Sequence, residues 1–164
     1  MGLAAWQLNP FSFTNATSTR PMLKQNIKVA ADAMAFSKGP QGLQLLLVVR
    51  KYDPYKGMWA IPGGFVEDDE ELEAAAIREL EEETGLKIPA MTQLHTFGRR
   101  GRDSRHRTIT VTYYCITEAT PVKGGDDAAE AQWVNVADIK DLAFDHMEML
   151  EMALKVIPEL RSGQ

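Results

Sequence analysis

The sequence predicts one α+β domain, and three observations carry that prediction. Short apolar or alternating runs at residues 27–36, 43–50, 92–97, 108–117 and 130–136 are bounded by turn-forming residues and read as strands. An acidic segment over residues 62–86, PGGFVEDDEELEAAAIRELEEETGL, takes up helical spacing after a Pro-Gly-Gly turn. Near the C-terminus Met147, Leu150, Leu154 and Ile157 fall on one side of a second helix. A chain of 164 residues can bury about 70% of its unfolded surface as one domain, here residues 26–164. Residues 1–25, rich in Asn, Ser, Thr and Pro with scattered aromatics, read as an N-terminal arm.

Each element has a local reason. Ile27 to Phe36 is apolar except for Lys28 and Asp32, as a largely buried strand would be. The Lys38–Gly42 turn separates it from Leu43–Arg50, whose unbroken Leu-Leu-Leu-Val-Val core predicts a central strand covered on both faces. Gly63 and Gly64 permit close backbone approach. Asp68 or Asp69 is expected to cap the acidic helix, which Gly85 ends. Thr108–Thr117 alternates with Ile109, Val111, Tyr113 and Cys115 on one face, predicting a half-buried strand. After Trp133 on the last strand comes a short helix around residues 137–141. Asp145 with Glu148 resembles a capping box opening the final helix, and Pro158 closes it.

Composition excludes several functions. A net charge of −5 and a pI near 5.2 argue against general nucleic-acid affinity. The lone Cys115 cannot form an internal disulfide and reads as core packing, consistent with a reducing compartment. No secretory signal and no membrane-spanning run is visible, so a soluble cytoplasmic protein is expected.

The chemistry is concentrated in the acidic helix. At about 100° per residue, Glu79, Glu82 and Glu83 share an arc of about 100° and continue the stripe of Leu72, Ala75 and Ala76 that should face the protein. Clustered carboxylates beside a buried face need a cation, and an all-oxygen set suits a hard divalent ion such as Mg²⁺. Downstream, GRRGRDSRHR places Arg99, Arg100, Arg102, Arg105 and Arg107 in one loop of an otherwise acidic chain. Arginine's planar fork would let that loop receive phosphates that the carboxylates repel.

The spacing is more specific than the composition. Gly64, five residues, Glu70, seven residues, Arg78-Glu79-Leu80, one residue, Glu82-Glu83, one residue and Gly85-Leu86 form a single pattern. Seven of these identities, leaving aside Leu80 and Leu86, at roughly 7% frequency each coincide by chance in about one window per 10⁸. This pattern is similar to the signature of the Nudix hydrolases, and the resemblance extends from about Ile27 to Ile157. It implies an α/β/α sandwich with a mixed sheet, a loop-helix-loop catalytic motif, and Mg²⁺- or Mn²⁺-dependent hydrolysis of a nucleoside diphosphate linked to another moiety. The implied metal ligands are Glu79, Glu82 and Glu83, the Gly63 carbonyl, and Glu130 downstream, with Asp126 and Asp127 as weaker candidates. Glu79 or Glu83 would activate water, and Arg78 would pair with a box carboxylate such as Glu70.

The run FGRRGRDSRHRTITVTYY and the segment Leu142–His146 resemble the branch of ADP-ribose pyrophosphatases. That resemblance makes Arg102 and Arg105, with Arg50, the expected substrate contacts, and ADP-ribose the expected substrate, cleaved to AMP and ribose 5-phosphate. Oxidised nucleoside triphosphates and dinucleotide polyphosphates are the alternatives. An ADP-ribose-sensing regulator is expected less, because the box is intact and a winged-helix domain has no room before Gln164. His146 is expected to be structural, and a homodimer is compatible with the long arm.

Overall fold

The computed structural model describes residues 25–40, 42–125 and 127–161, so the expected N-terminal arm and Asp126 lie outside the described residues. Strands β1 (Ile27–Gly39) and β2 (Gly42–Arg50) form an antiparallel hairpin, and β1 then runs parallel to β6 (Arg107–Ile116). The short β3 (Trp59–Ala60) extends the sheet beside β2, and β5 (Thr92–Phe97) forms the opposite edge in the order β3-β2-β1-β6-β5. β4 (Gly63–Phe65) pairs with β1, and β7 (Ala128–Asn135) pairs with β2. β3 and β4 were not expected, because they lack the length for a periodic signal.

Helix α1 (Leu72–Thr84) covers one face of this mixed sheet, and α2 (His146–Val156) with α3 (Pro158–Arg161) covers the other. Period-two alternation divides the strands between the two cores. Ala31, Ala33, Ala35, Leu46 and Val48 pack with Ala75, Ala76 and Leu80 of α1. Met34, Phe36, Leu45 and Leu47 pack with Met149, Leu150, Ala153 and Ile157. The alanines on β1 let α1 approach the sheet closely, while the larger side chains meet α2. No helix among the described residues is long and apolar enough to cross a membrane.

Several local expectations are corrected. The N-cap of α1 is Glu71, not Asp68 or Asp69, and its side chain makes no capping bond. The chain first turns through residues 67–70, where the Glu70 carboxylate accepts from the Glu67 N–H and from Arg78, so helical geometry starts later. Gly85 does end α1 in the left-handed region, at φ 75°, and its N–H donates to the Glu81 carbonyl. β6 is not half-buried, because α2 also covers its threonine face: Thr110 and Thr112 are fully buried. Thr110 donates to Asp32 and Thr112 contacts the Met149 sulfur, so hydroxyls occupy a face that the sequence marked as polar. The expected short helix is a 3₁₀ turn over Val136–Asp138. Pro158 stops α2 but also opens α3, using the fixed φ that suits a first helical position.

Leu80 is fully buried between α1 and the sheet and anchors the acidic helix. Leu80→Ala should therefore cost about 2–5 kcal/mol of unfolding free energy, measured by urea denaturation.

Candidate active site

α1, β4, the β2 end, the β5–β6 loop and the turn before α2 surround one cleft of about 500 Å³. Glycines set the distance between α1 and the sheet. A Cβ at Gly64 would collide with Glu79 Oε1, and one at Gly63 would collide with Asp32 and approach the Ala31 carbonyl to 2.7 Å. The Gly63 N–H donates to Glu83 Oε2 at 3.1 Å. The helix thus presses its carboxylate turn directly against backbone.

Glu79 and Glu83 both line the cleft, as do Asp32 and Asp127. Burial pushes the Glu83 carboxyl up to about 8, although the Gly63 N–H works against it and Glu79, Asp32 and Asp127 add to it. Burial also raises Glu79, and it raises Asp32 to about 6 against the hydrogen bond from Thr110. Glu82 lies further out, with its side chain 41% exposed.

Arg78 ties this wall together. Its Nε and Nη2 meet both oxygens of Glu70 at 2.7 and 2.9 Å, and its Nη1 lies 2.9 Å from Glu79 and 3.0 Å from Glu82. The pairing with Glu70 and the i,i+4 pairing with Glu82 are therefore one network. Among the described residues no three His, Cys, Asp or Glu side chains already converge to hold an ion. Arg78 itself supplies a positive charge to Glu79 and Glu82. The donor set still fits a hard divalent cation: it is wholly oxygen, includes buried carboxylates whose charged forms burial disfavours, and faces a backbone cradle that a Cβ would fill.

The opposite wall is basic and aromatic. Arg50 and Arg105 line the cleft with Tyr52 and Phe144. Arg105 is also held by Asp103 at 2.9–3.0 Å; burial raises the Asp103 carboxyl, but the Arg105 side-chain and backbone bonds outweigh it and hold it below its ordinary range. Arg102 reaches the cleft, yet both arms of its fork are bound to Asp145, at 2.7 and 2.9 Å, and the two side chains are 5% and 3% exposed. The Asp145 carboxylate consequently does not cap α2, despite the box-like spacing with Glu148. Instead Glu148 pairs with Arg99 at 2.5 Å. His146 is buried, and its Nδ1 accepts the Ile61 N–H at 2.9 Å, so the ring is held neutral with its proton on Nε2. Burial pushes His146 down to about 3.

Glu130 is exposed opposite Val49 on β7 and does not line the cleft, whereas Asp127, just before the strand, does. Cys115 lies apart from the cleft, and burial pushes its thiol up to about 11, far from a nucleophile's range. Asp32, Tyr52 and Phe144 were not among the predicted site residues. Asp32 left a signal as a lone acid in an apolar strand, and Phe144 lies within the Leu142–His146 segment that carries the branch resemblance.

The family and its relatives accord with this geometry. Residues 27–153 match the model of the NUDIX domain. An ADP-ribose pyrophosphatase of Methanocaldococcus jannaschii is 38% identical over 108 residues, covering 66% of this chain and 64% of that protein. An ADPR-responsive transcriptional repressor, NtrR, of Acinetobacter baylyi is 36% identical over 130 residues, covering 76% of this chain and 52% of that protein. This chain therefore spans between about half and two-thirds of those relatives' lengths. The NUDIX domain of Shewanella oneidensis NrtR, in a cocrystal with ADP ribose, superposes with a TM-score of 0.76 at 32% identity, covering 85% of this chain and 94% of that one. A chain with this signature, fold and family match belongs to the Nudix family.

Two expected outcomes follow from the buried groups. Arg102→Ala leaves the Asp145 carboxylate buried without its partner and should destabilise the fold by about 3–5 kcal/mol in urea titrations; adding Asp145→Ala should recover part of that loss. His146 has a folded pKa of about 3 against an ordinary value of 6.5, so the unfolded chain takes up its proton first as pH falls. Its contribution is complete above about pH 6.5 and is lost below it, by about 1.4 kcal/mol at pH 5.5. The raised pKa values of Asp32 and Glu83 act in the opposite direction in both proteins. Hence the stability gap between wild type and His146→Asn should narrow by about that amount between pH 7.5 and 5.5.

Proposed function

We propose that this chain is a divalent-cation-dependent pyrophosphohydrolase of nucleoside diphosphates linked to a second moiety, with ADP-ribose as the substrate cleaved to AMP and ribose 5-phosphate. The observation that carries this reading is that one cleft has a carboxylate wall and an arginine wall facing each other. A pyrophosphate ester is multiply negative, so carboxylates could approach it only through cations, while guanidinium groups bind it directly.

Glu79 and Glu83 would hold the cation, with the Gly63 carbonyl and Glu82 beside them. When bound, Mg²⁺ or Mn²⁺ supplies neutralisation of phosphate oxygens and acidification of water. The residues then divide the remaining work. Gly63 N–H orients Glu83, Arg78 orients Glu79 through the same fork that fixes Glu70, and one of these two glutamates takes the proton of the attacking water. Arg50 and Arg105 bind the phosphate group of the substrate. Asp127 is the favoured additional acid over Glu130, since it faces the cleft.

ADP-ribose is favoured by the names of the two relatives that share this chain's domain: one a pyrophosphatase of that compound, the other a repressor responsive to it. The second of these supports an alternative, binding of ADP-ribose without turnover. Phosphate release measured with Mg²⁺ and a coupling phosphatase that acts on the monoester products, across ADP-ribose, NADH, diadenosine polyphosphates and 8-oxo-dGTP, separates the possibilities. ADP-ribose should turn over fastest. A different winner would displace the substrate and leave the reaction class, and ADP-ribose binding without release would favour the sensor. Glu83→Gln should lower kcat by about 10²–10⁴-fold while the protein stays folded; near-wild-type turnover would remove Glu83 from the site.

A further inference from the structure

Two bulky residues of the described chain have positive φ: Tyr55 at 67° and Phe144 at 55°. Aromatic residues rarely take this conformation, and it persists only where the surroundings impose it. The two rings meet, with centroids 4.7 Å apart at an angle of 59°. Phe144 also faces the cleft, and two guanidinium groups lie against it: Arg50 at 4.8 Å and Arg105 at 5.6 Å from the ring centroid.

The turn is imposed from both sides. The Ala143 N–H donates to the Trp59 carbonyl at 2.8 Å, Asp145 is gripped by Arg102, and His146 accepts from Ile61. All three anchoring residues are buried, so the backbone at Phe144 has no freedom to relax. Arg102 therefore acts within the protein, on the turn, with its fork already bonded on both arms.

Arg50 and Arg105 differ from Arg102 in exposure, Arg105 being 39% exposed and Arg50 partly buried against 5% for Arg102. Arg50 uses Nε and Nη2 on the carbonyls of Pro54 and Tyr52, and Arg105 uses Nε and Nη2 on Asp103. Among the described residues neither Nη1 donates a hydrogen bond. Bringing these two cations to one ring is unfavourable in itself: after burial, Arg105 is the largest influence pulling the Arg50 pKa down. The ring face offsets part of that repulsion, and an anion between the two would offset the rest.

We propose that Phe144 is a positioning residue that holds Arg50 and Arg105 together as an anion site for a phosphate group, with the Arg102–Asp145 pair setting the ring. The proposal deepens the hydrolase reading and rests on it for what carries the phosphate, but the anion site itself is testable without turnover. Inorganic pyrophosphate is the probe, titrated calorimetrically into the full chain in EDTA at low ionic strength. Wild type should bind it saturably, with affinity falling as salt is raised. Phe144→Asn tolerates the left-handed backbone but lacks the ring, and should raise Kd about 10-fold, within the range of cation–π contacts. Phe144→Tyr keeps the ring and should stay within about 2-fold. Arg105→Gln, at a side chain 39% exposed, should show the same loss as Phe144→Asn and stands in for it should that variant fail to fold. Across a substrate titration, Phe144→Asn should change KM far more than kcat. Absence of pyrophosphate binding by wild type, wild-type affinity in Phe144→Asn or Arg105→Gln, or equal loss in Phe144→Tyr would each overturn the proposal. A substrate other than ADP-ribose in the phosphate-release panel would leave the pyrophosphate result untouched.

Discussion

The close approach of the acidic turn of α1 to the bare backbone of β4 is the constraint on which the site depends. Glu79 packs where a Gly64 side chain would stand, and Glu83 accepts the Gly63 N–H. Any side chain at Gly64 would have to displace the Glu79 carboxylate, and one at Gly63 would meet the backbone of β1. Burying carboxylates in this way is unfavourable in itself, since desolvation penalises their charged forms. The cost is localised at the end of a helix otherwise held by Ala75, Ala76 and Leu80, so the fold supports a turn that would not be stable alone.

Arg78 and Arg102 are cations held by carboxylate partners within the fold. Each is engaged through both arms of its fork, Arg78 with the box carboxylates and Arg102 with Asp145. Planar bidentate pairing of this kind fixes orientation as well as charge, which a lysine could not do. Arg105 grips Asp103 with the same two nitrogens that Arg102 uses on Asp145, but its side chain is 39% exposed where that of Arg102 is 5%, and it lines the cleft together with Arg50. The cleft thereby has a cation paired with carboxylates at its acidic wall and more accessible cations at its basic wall.

Much of this was legible because the acidic box is contiguous. Its identities lie within one loop and one helix, where spacing and the 3.6-residue turn place side chains without reference to the rest of the chain. The burial difference within the box was less legible: Glu83 is buried and Glu82 is 41% exposed, although the two are adjacent. The capping expectation at Asp145 failed for a related reason. Its spacing with Glu148 is local, but a buried guanidinium 43 residues earlier competes for the same carboxylate and wins by bidentate, charge-assisted bonding.

By itself the sequence determined the family signature, the class of donor atoms, the central buried strands and the sign of charge at each wall, since these follow from residue identity and near-neighbour spacing. Tertiary structure alone decided that Asp32 joins Glu83, that Asp127 and not Glu130 faces the cleft, and that Phe144 meets Arg50 and Arg105. Those contacts join β1, β2, the β5–β6 loop and the turn before α2, and no local rule fixes the distance between segments so far apart in the chain. They form because two hydrophobic cores bring α1 and α2 onto opposite faces of one sheet, with the loops meeting at its end.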